Sequence, residues 1–344
     1  MAGAPDLDRR GRVVAAVSAR FPATLPAIML RTLVVVNPVA AGGRAKRRFA
    51  KLETTVRDAL GELEVEWTRG PRDAERIVRE AARAGVERIV VAGGDGTMRE
   101  AVAGALSAGL AAPIELGLLP LGTGGDLRRT LGVPADFGEA LANLASVPSR
   151  PLDAGRATFV GPGGEPVETY FANVASIGIS GLITELVNTT PKALGGRISF
   201  LVGTLRGLAR YSPQPVRLKL DGEVLFEGPL VLAAVANGAW FGGGMHVAPD
   251  ARADDGQFDV VVIRDFGKPR LLVDLPRIYT GTHTKVDGVL TARGRVLEAE
   301  ALGSGPQVRL EIDGEPLGCL PARFEVLPSA LKILGALPVS GSPS

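Results

Sequence analysis

The chain contains a single cysteine, Cys319, and only two histidines, His246 and His283, among 344 residues. One thiol excludes an internal disulfide and any cysteine-based zinc site, and it fits a reducing compartment. Two histidines exclude a histidine-rich metal site. No uninterrupted apolar run reaches the roughly 18–20 residues of a membrane span, so membrane contact has to be peripheral. Neither sign of charge dominates: the formal net charge is +2, with no basic block, which gives no electrostatic case for a nucleic-acid partner. What remains, 46% hydrophobic and 22% charged, is the composition of an ordinary globular protein, and the length suits two domains.

Glycine, in contrast, is plentiful, and three glycine-rich cassettes occur in order along the first part of the chain. They are Asn37-Pro38-Val39-Ala40-Ala41-Gly42-Gly43, Gly93-Gly94-Asp95-Gly96-Thr97 and Pro120-Leu121-Gly122-Thr123-Gly124-Gly125-Asp126. Each follows an apolar run that reads as a buried strand (33–36, 89–92, 116–119) and leads into a segment that can be helical. Strand, glycine loop and helix start together aim backbone N–H groups at a phosphate. Three such loops in sequence point to a nucleotide site. Thr97 and Glu100 also match a T-x-x-E capping box, which would account for both structurally. A tight turn does not account for Asp95, an acid among glycines where a phosphate or its magnesium would lie. The Walker-A lysine loop and the protein-kinase motifs are absent, so the site is of another type.

Periodicity supplies the frame. Phe49, Leu52, Val56 and Leu60 share one helical face, as do Ile77, Val78, Ala81 and Ala82, with Gly85 placed to end the second helix. Strands alternating with such helices predict a doubly wound parallel sheet, with ligands at the carboxyl ends of its strands. Past Pro148–Pro151 the texture changes to short alternating runs: 170–179, 216–220, 224–235, 258–262 and 308–312, with helices expected at about 198–210 and 271–279. This predicts a mostly β second domain, a sandwich. Two stretches repeat, Arg217-Leu-Lys-Leu-Asp-Gly-Glu223 and Arg309-Leu-Glu-Ile-Asp-Gly-Glu315, and each reads as a strand entering an Asp-Gly hairpin turn. Residues 1–28 read as a dispensable extension ahead of Met29, in preference to a signal peptide or membrane-lying helix. The expected division is 29–150 for a nucleotide-binding α/β domain and 151–321 for a β-rich lipid-substrate domain. Residues 322–339 are free to pack back onto the first domain, and 340–344 form a disordered tail.

These motifs resemble a known family. Gly-Gly-Asp-Gly-Thr is shared by a superfamily of NAD kinases, 6-phosphofructokinases and the diacylglycerol kinase/sphingosine kinase lipid kinases. Asn37-Pro38, the Pro120-x-Gly122-Thr123-x-x-Asp126 loop, Asn173-Val-Ala-x-x-Gly178, Asn237 with Gly242-Gly243-Gly244-Met245, Ala248-Pro249 and Asp254-Asp255-Gly256 follow in the lipid-kinase order, over about 33–327. The resemblance implies an NAD-kinase-like α/β domain plus a β-sandwich domain, with the active site in the cleft between them. It implies ATP and Mg2+ as cofactors and ATP contacts at Asn37, Gly42, Gly43, Thr68, Gly94, Asp95, Gly96, Thr97, Glu100, Gly122, Thr123 and Asp126. Asp95 would organise the catalytic magnesium. Glu315 would be the general base, its pKa raised by burial in the cleft, although local sequence does not separate it from Glu223. A second, structural magnesium is implied at the Asp255 carboxylate and the backbone carbonyls of Arg252 and Gln257. The family pattern is broken at Gly125, where Asn is usual, and at Ala41, where Ser is common.

The expected activity is transfer of phosphate from ATP to diacylglycerol or a similar lipid alcohol, by a cytoplasmic protein peripherally associated with a membrane. A sphingosine or ceramide kinase and an NAD kinase are alternatives, and a non-enzymatic nucleotide or lipid sensor a further one. Partners are a lipid substrate at a membrane surface, with no nucleic acid and no transmembrane segment; the sequence permits a homodimer. Of the remaining residues, His246 reads as a packing or hydrogen-bonding group and Trp240-Phe241 as buried core in preference to a membrane-touching loop. Arg128 and Arg129 are equally suited to phosphate or to solvent.

Overall fold

The structure, a computed structural model, describes residues 31–122, 124–188 and 196–337. The extension at 1–28, Thr123 and the 340–344 tail therefore lie outside the described residues. The first half alternates strand and helix: β1 Thr32–Val36, α1 Arg44–Leu60, β2 Leu63–Trp67, α2 Asp73–Arg83, β3 Arg88–Gly93, α3 Asp95–Ser107, β4 Glu115–Pro120, α4 Asp126–Thr130 and α5 Phe137–Ser146. The four strands pair in parallel in the order β2-β1-β3-β4. Helices cover both faces, which is why β1 and β3 are continuous apolar runs buried along almost their whole length. Phe49 and Val56 of α1 are buried, and Phe49 meets Trp67 edge-on at 5.7 Å. In α2 the expected Ile77, Val78, Ala81 and Ala82 all face the core. Gly85 ends that helix at φ +84°, with Gly85 N–H donating to Ala82 O and Val86 N–H to Ala81 O.

The second half comprises β5 Arg150–Val160, β6 Pro166–Phe171, β7 Val174–Gly178, α6 Ile179–Asn188, α7 Gly196–Arg210, β8 Gln214–Leu220, β9 Glu223–Ala236, β10 Phe258–Arg264, α8 Lys268–Asp274, α9 Arg277–Thr280, β11 Val289–Gly294, β12 Val296–Ala301, β13 Arg309–Ile312 and β14 Glu315–Leu334. One sheet runs β11-β10-β9-β7-β13-β14 and the other β6-β5-β14-β12-β8-β9, so β9 and β14 bend from one sheet into the other. Between them lies an apolar core in which the Phe171 ring stacks on Phe258 at 5.7 Å and meets Phe324 edge-on at 6.4 Å. The mixed α/β fold with a β-sandwich half is the one the sequence predicts. At its far end β14 leaves the sandwich, and Lys332–Leu334 pair in parallel with Glu115–Gly117 of β4. One strand thus belongs to both halves.

Two expected elements are broken in the structure. The run 170–179 divides into β6 and β7 because Ala172 N–H and Val174 N–H both turn to the Asp313 carboxylate, at 3.3 and 2.8 Å. The helix at 271–279 divides into α8 and α9 at Pro276, which has no N–H to continue the ladder. Both Asp-Gly turns are hairpins, with φ +51° and +91° at Asp221-Gly222 and +47° and +83° at Asp313-Gly314. Positive φ at both central residues is the turn whose twist matches the strands it joins.

The stacked phenylalanines generate the first prediction. Phe171→Ala removes a ring that is 0% exposed and in contact with two others, and should cost about 3–5 kcal/mol. Urea denaturation measures this; a loss below about 1 kcal/mol would mean that the sandwich core does not depend on that ring.

Candidate active site

All the glycine cassettes sit at the carboxyl ends of parallel strands, where the turn from strand to helix leaves backbone groups facing a cleft. Asn37 follows β1, Thr68 follows β2, Gly94 follows β3 and Gly122 follows β4. The loops are tied to one another: Asn37 N–H donates to Ala92 O at 3.0 Å, and Asn37 Nδ2 to Thr97 Oγ1 at 2.8 Å. Leu121 N–H and Gly122 N–H both donate to Gly93 O. A Cβ at Gly122 would lie 2.5 Å from Gly94 Cα, so the second and third loops touch backbone to backbone and only glycine fits. Gly42 and Gly43, at φ +68° and +84°, turn the first loop into α1.

Thr97 and Glu100 do not form the expected capping box. Gly94 caps α3 and Thr97 lies inside the helix. The Glu100 carboxylate instead accepts from Arg72 N–H at 2.9 Å and Ala74 N–H at 3.1 Å, so it caps the neighbouring helix α2. The donors it satisfies belong to a chain segment 26 to 28 residues away, and such a partner is invisible to a motif read along one helix.

Acids gather where the two halves meet. Asp95 opens α3, and its Oδ2 accepts from Asp126 N–H at 2.9 Å. Burial pushes the Asp95 carboxyl up, against the lowering effect of that bond and of Arg128 and Arg129. Asp126 pairs with Arg129, and its Oδ2 accepts from Gly243 N–H at 2.7 Å, which joins the α4 segment to the glycine turn beyond β9. From the sandwich side come Glu311 and Asp313. Glu311 Oε1 accepts from Ser176 Oγ at 2.6 Å and Oε2 from Gly314 N–H at 2.8 Å. Burial raises Glu311 to about 7 and Asp313 to about 6, since their hydrogen bonds only partly offset the loss of water.

Glu315, the first residue of β14, differs from expectation. It is not buried: its side chain is 45% exposed, and Oε2 pairs with Arg99 at 2.9 Å, whose own side chain is 6% exposed. A buried guanidinium therefore orients Glu315. The buried acids of raised pKa are its neighbours Glu311 and Asp313.

An apolar pocket of about 320 Å³ opens from this cluster into the sandwich half. It is bordered by Asp95, Asp126, Glu311 and Asp313, and its walls include side chains such as Ile183, Leu208, Val231, Phe241, Leu275 and Ile278. Phe241 is buried and lines it, while Trp240 stacks on His246 with ring centroids 3.8 Å apart, so His246 is a packing residue.

The Asp-Asp-Gly turn lies apart from that pocket. Asp255 Oδ1 accepts from Gln257 N–H at 3.1 Å and Oδ2 faces Arg293, while Arg252 pairs with Asp254 at 3.3 Å. A cation at this turn would have to displace the Arg293 guanidinium. The turn is pinned from below by Asp153, whose carboxylate accepts from Gly256 N–H and Ser329 N–H at 2.6 Å each.

The structure thus gathers Asn37, Gly94, Asp95, Gly96, Thr97, Gly122 and Asp126 at one end of the sheet, with Thr68 beside them and Glu100 turned to α2. Asp95 and Asp126 meet the Asp313-Gly314 turn, on whose far side Glu315 stands; Arg252, Asp255 and Gln257 form a separate turn. Sequence reasoning missed Arg99, Glu311 and Asp153. One signal was available for Glu311: in the internal repeat it replaces Lys219, an acid for a base.

Residues 31–157 match the family described as diacylglycerol kinase catalytic domain, and residues 173–335 match the YegS C-terminal NAD kinase beta sandwich-like domain. The chain is 30% identical to a protein of Mycobacterium tuberculosis named diacylglycerol kinase, over 76% of this chain and 81% of that one. It is 36% identical to a Pseudomonas aeruginosa protein named "Probable lipid kinase YegS-like", over 88% and 93% respectively. Among solved structures it is similar to that of a diacylglycerol kinase from Bacillus anthracis, with a TM-score of 0.71 at 26% identity, covering 90% of this chain and 98% of that one. A yeast NADH kinase, at a TM-score of 0.51 and 13% identity, shares the fold alone.

The buried acids generate a pH prediction. Glu311 and Asp313 hold their protons more tightly folded than unfolded, so their contribution to stability is complete below about pH 4 and is lost as pH rises through about 6 to 7. Unfolding free energy should fall between about pH 4 and pH 7, and Glu311→Gln, an uncharged isostere, should flatten that fall. Denaturation midpoints across this range provide the measurement. An unchanged slope in the variant would refute the assignment.

Proposed function

The chain belongs to the diacylglycerol kinase family of lipid kinases, phosphotransferases that act on an alcohol group, and we propose that it moves the γ-phosphate of ATP to the hydroxyl of diacylglycerol at a membrane surface. The observation that carries this reading is the pocket: Asp95 and Asp126 of the glycine cassettes border it with Glu311 and Asp313, and apolar side chains make up most of the rest of its walls. Walls this continuously apolar suit the acyl chains of a lipid better than the riboses and phosphates of a nucleotide such as NAD. Among the described residues no helix is long and apolar enough to cross a membrane, and in this reading the lipid is taken up from a surface.

The triphosphate fits the glycine loops, where the N-terminus of α3 adds its dipole and Arg128 and Arg129 add charge near Asp95. Asp95 supplies a carboxylate, and a Cβ at Gly124 would lie 2.9 Å from its Oδ2, so the glycine keeps that carboxylate open; among the described residues no three such side chains cluster to hold a metal by themselves. This suits Mg2+, which takes one or two carboxylates and completes its shell with phosphate and water. Bound there, magnesium would neutralise phosphate charge. Glu315, fixed by Arg99, accepts the proton of the lipid hydroxyl as its oxygen attacks phosphorus and ADP departs. Arg99 belongs to α3, so the base from the sandwich half is aligned by the helix that carries Asp95.

The test is to incubate the purified chain with γ-labelled ATP, Mg2+ and vesicles containing diacylglycerol, sphingosine or ceramide, or with NAD in solution. Label in phosphatidic acid is expected; label only in NADP or a sphingolipid would overturn the substrate assignment. Asp95→Asn should lower turnover by about 10²–10³-fold, as loss of an oriented charge in a closed site does. The repeat supplies a control: Glu315→Gln should abolish transfer with ATP binding retained, whereas Glu223→Gln, in the equivalent but exposed turn, should keep full activity. Equal effects of the two variants would sink the assignment of Glu315.

A further inference from the structure

We infer that Ser180, in the first turn of α6, receives an ester carbonyl of the bound lipid, so that the site selects ester-linked glycerolipids. This inference rests on the lipid-kinase reading above. Ser180 is 5% exposed and lines the pocket, yet its Oγ has no hydrogen-bond partner among the described residues. A buried hydroxyl without a partner is costly to fold. It is accounted for when a ligand supplies the missing acceptor.

Its position suits that role. Gly178, at φ +103°, ends β7 abruptly; a Cβ there would meet Val231 O at 2.5 Å, so the chain enters α6 without a spacer. The first turn of α6 is then pressed against β13, where a Cβ on Gly181 would lie 2.8 Å from the Arg309 Cβ. Strand β13 carries Glu311 and leads into the Asp313-Gly314 turn and Glu315. Ser180 lines the same pocket as Asp95, Asp126, Glu311 and Asp313, next to the apolar Ile179 and Ile183. In a diacylglycerol the group between the free hydroxyl and the acyl chains is an ester.

The electrostatics specify an acceptor. First-turn N–H groups of a helix have no intrahelical partner and carry the positive end of its dipole, which favours a carbonyl oxygen over a cation. One turn further on, α6 offers Thr184, another buried hydroxyl lining the pocket. Asp274, the remaining acid of the lining, is paired with Arg277 at 3.1 Å and Arg270 at 3.7 Å.

The experiment compares 1,2-dioleoylglycerol with the dialkyl ether bearing the same chains, each in mixed micelles with ATP and Mg2+, for wild type and Ser180→Ala. The ether has the same hydroxyl and chains but no carbonyl. Wild type should favour the ester in kcat/KM by about 3- to 10-fold, the worth of one hydrogen bond, and in Ser180→Ala that ratio should fall close to one. The ether rate of the variant reports whether it is folded. A preference that survives in Ser180→Ala, or a wild type that uses both lipids equally, overturns the inference and leaves the lipid-kinase reading standing. A wild type that phosphorylates neither lipid overturns both.

Discussion

The last strand constrains everything else in this molecule. β14 begins at Glu315 in the cleft, pairs with β13, continues between β5 and β12, and ends beside β4 of the parallel sheet. A β ladder tolerates no independent sliding, because a one-residue slip turns every side chain to the wrong face. The register that buries Phe324 in the sandwich and Ile333 in the α/β core thus also sets where Glu315 stands relative to α3. Two domains joined by a flexible linker could not hold a carboxylate and its arginine partner at 2.9 Å across their cleft with such economy.

Around that axis the site divides its labour by charge. The α/β half brings the glycine loops, Arg128 and Arg129 together with Asp95 and Asp126, while the sandwich half brings Glu311, Asp313 and Glu315. Glu311 and Asp313 are spent on structure: one holds Ser176 and Gly314, the other closes the break between β6 and β7. Their desolvation is tolerated because each accepts strong local hydrogen bonds. Glu315, one residue past the turn, is left accessible. Of the three acids around this turn, the one assigned the proton in the proposed reaction is the one that the fold does not bury.

Much of this was legible in the residues. Buried parallel strands, amphipathic helices such as α2, the Asp-Gly turns and the glycine loops are local consequences of period, turn chemistry and the absence of a Cβ. The order of motifs also pointed to the family. Other features were closed to such reading: Glu100 matched a capping motif within its own helix yet caps α2, and Asp153 pins a turn about a hundred residues away. Those partners lie far along the chain, and sequence spacing carries no information about them.

The internal repeat marks the boundary. Composition and pattern determined that Asp221-Gly222-Glu223 and Asp313-Gly314-Glu315 would be the same type of turn, and each aspartate indeed accepts from two backbone N–H groups, Arg295 and Val296 in one case and Ala172 and Val174 in the other. Turn geometry is a local property, set by which residues tolerate positive φ. Only the tertiary structure decided that one glutamate faces solvent while the other meets Arg99 beside Asp95, because burial and charge pairing depend on what the rest of the chain brings alongside.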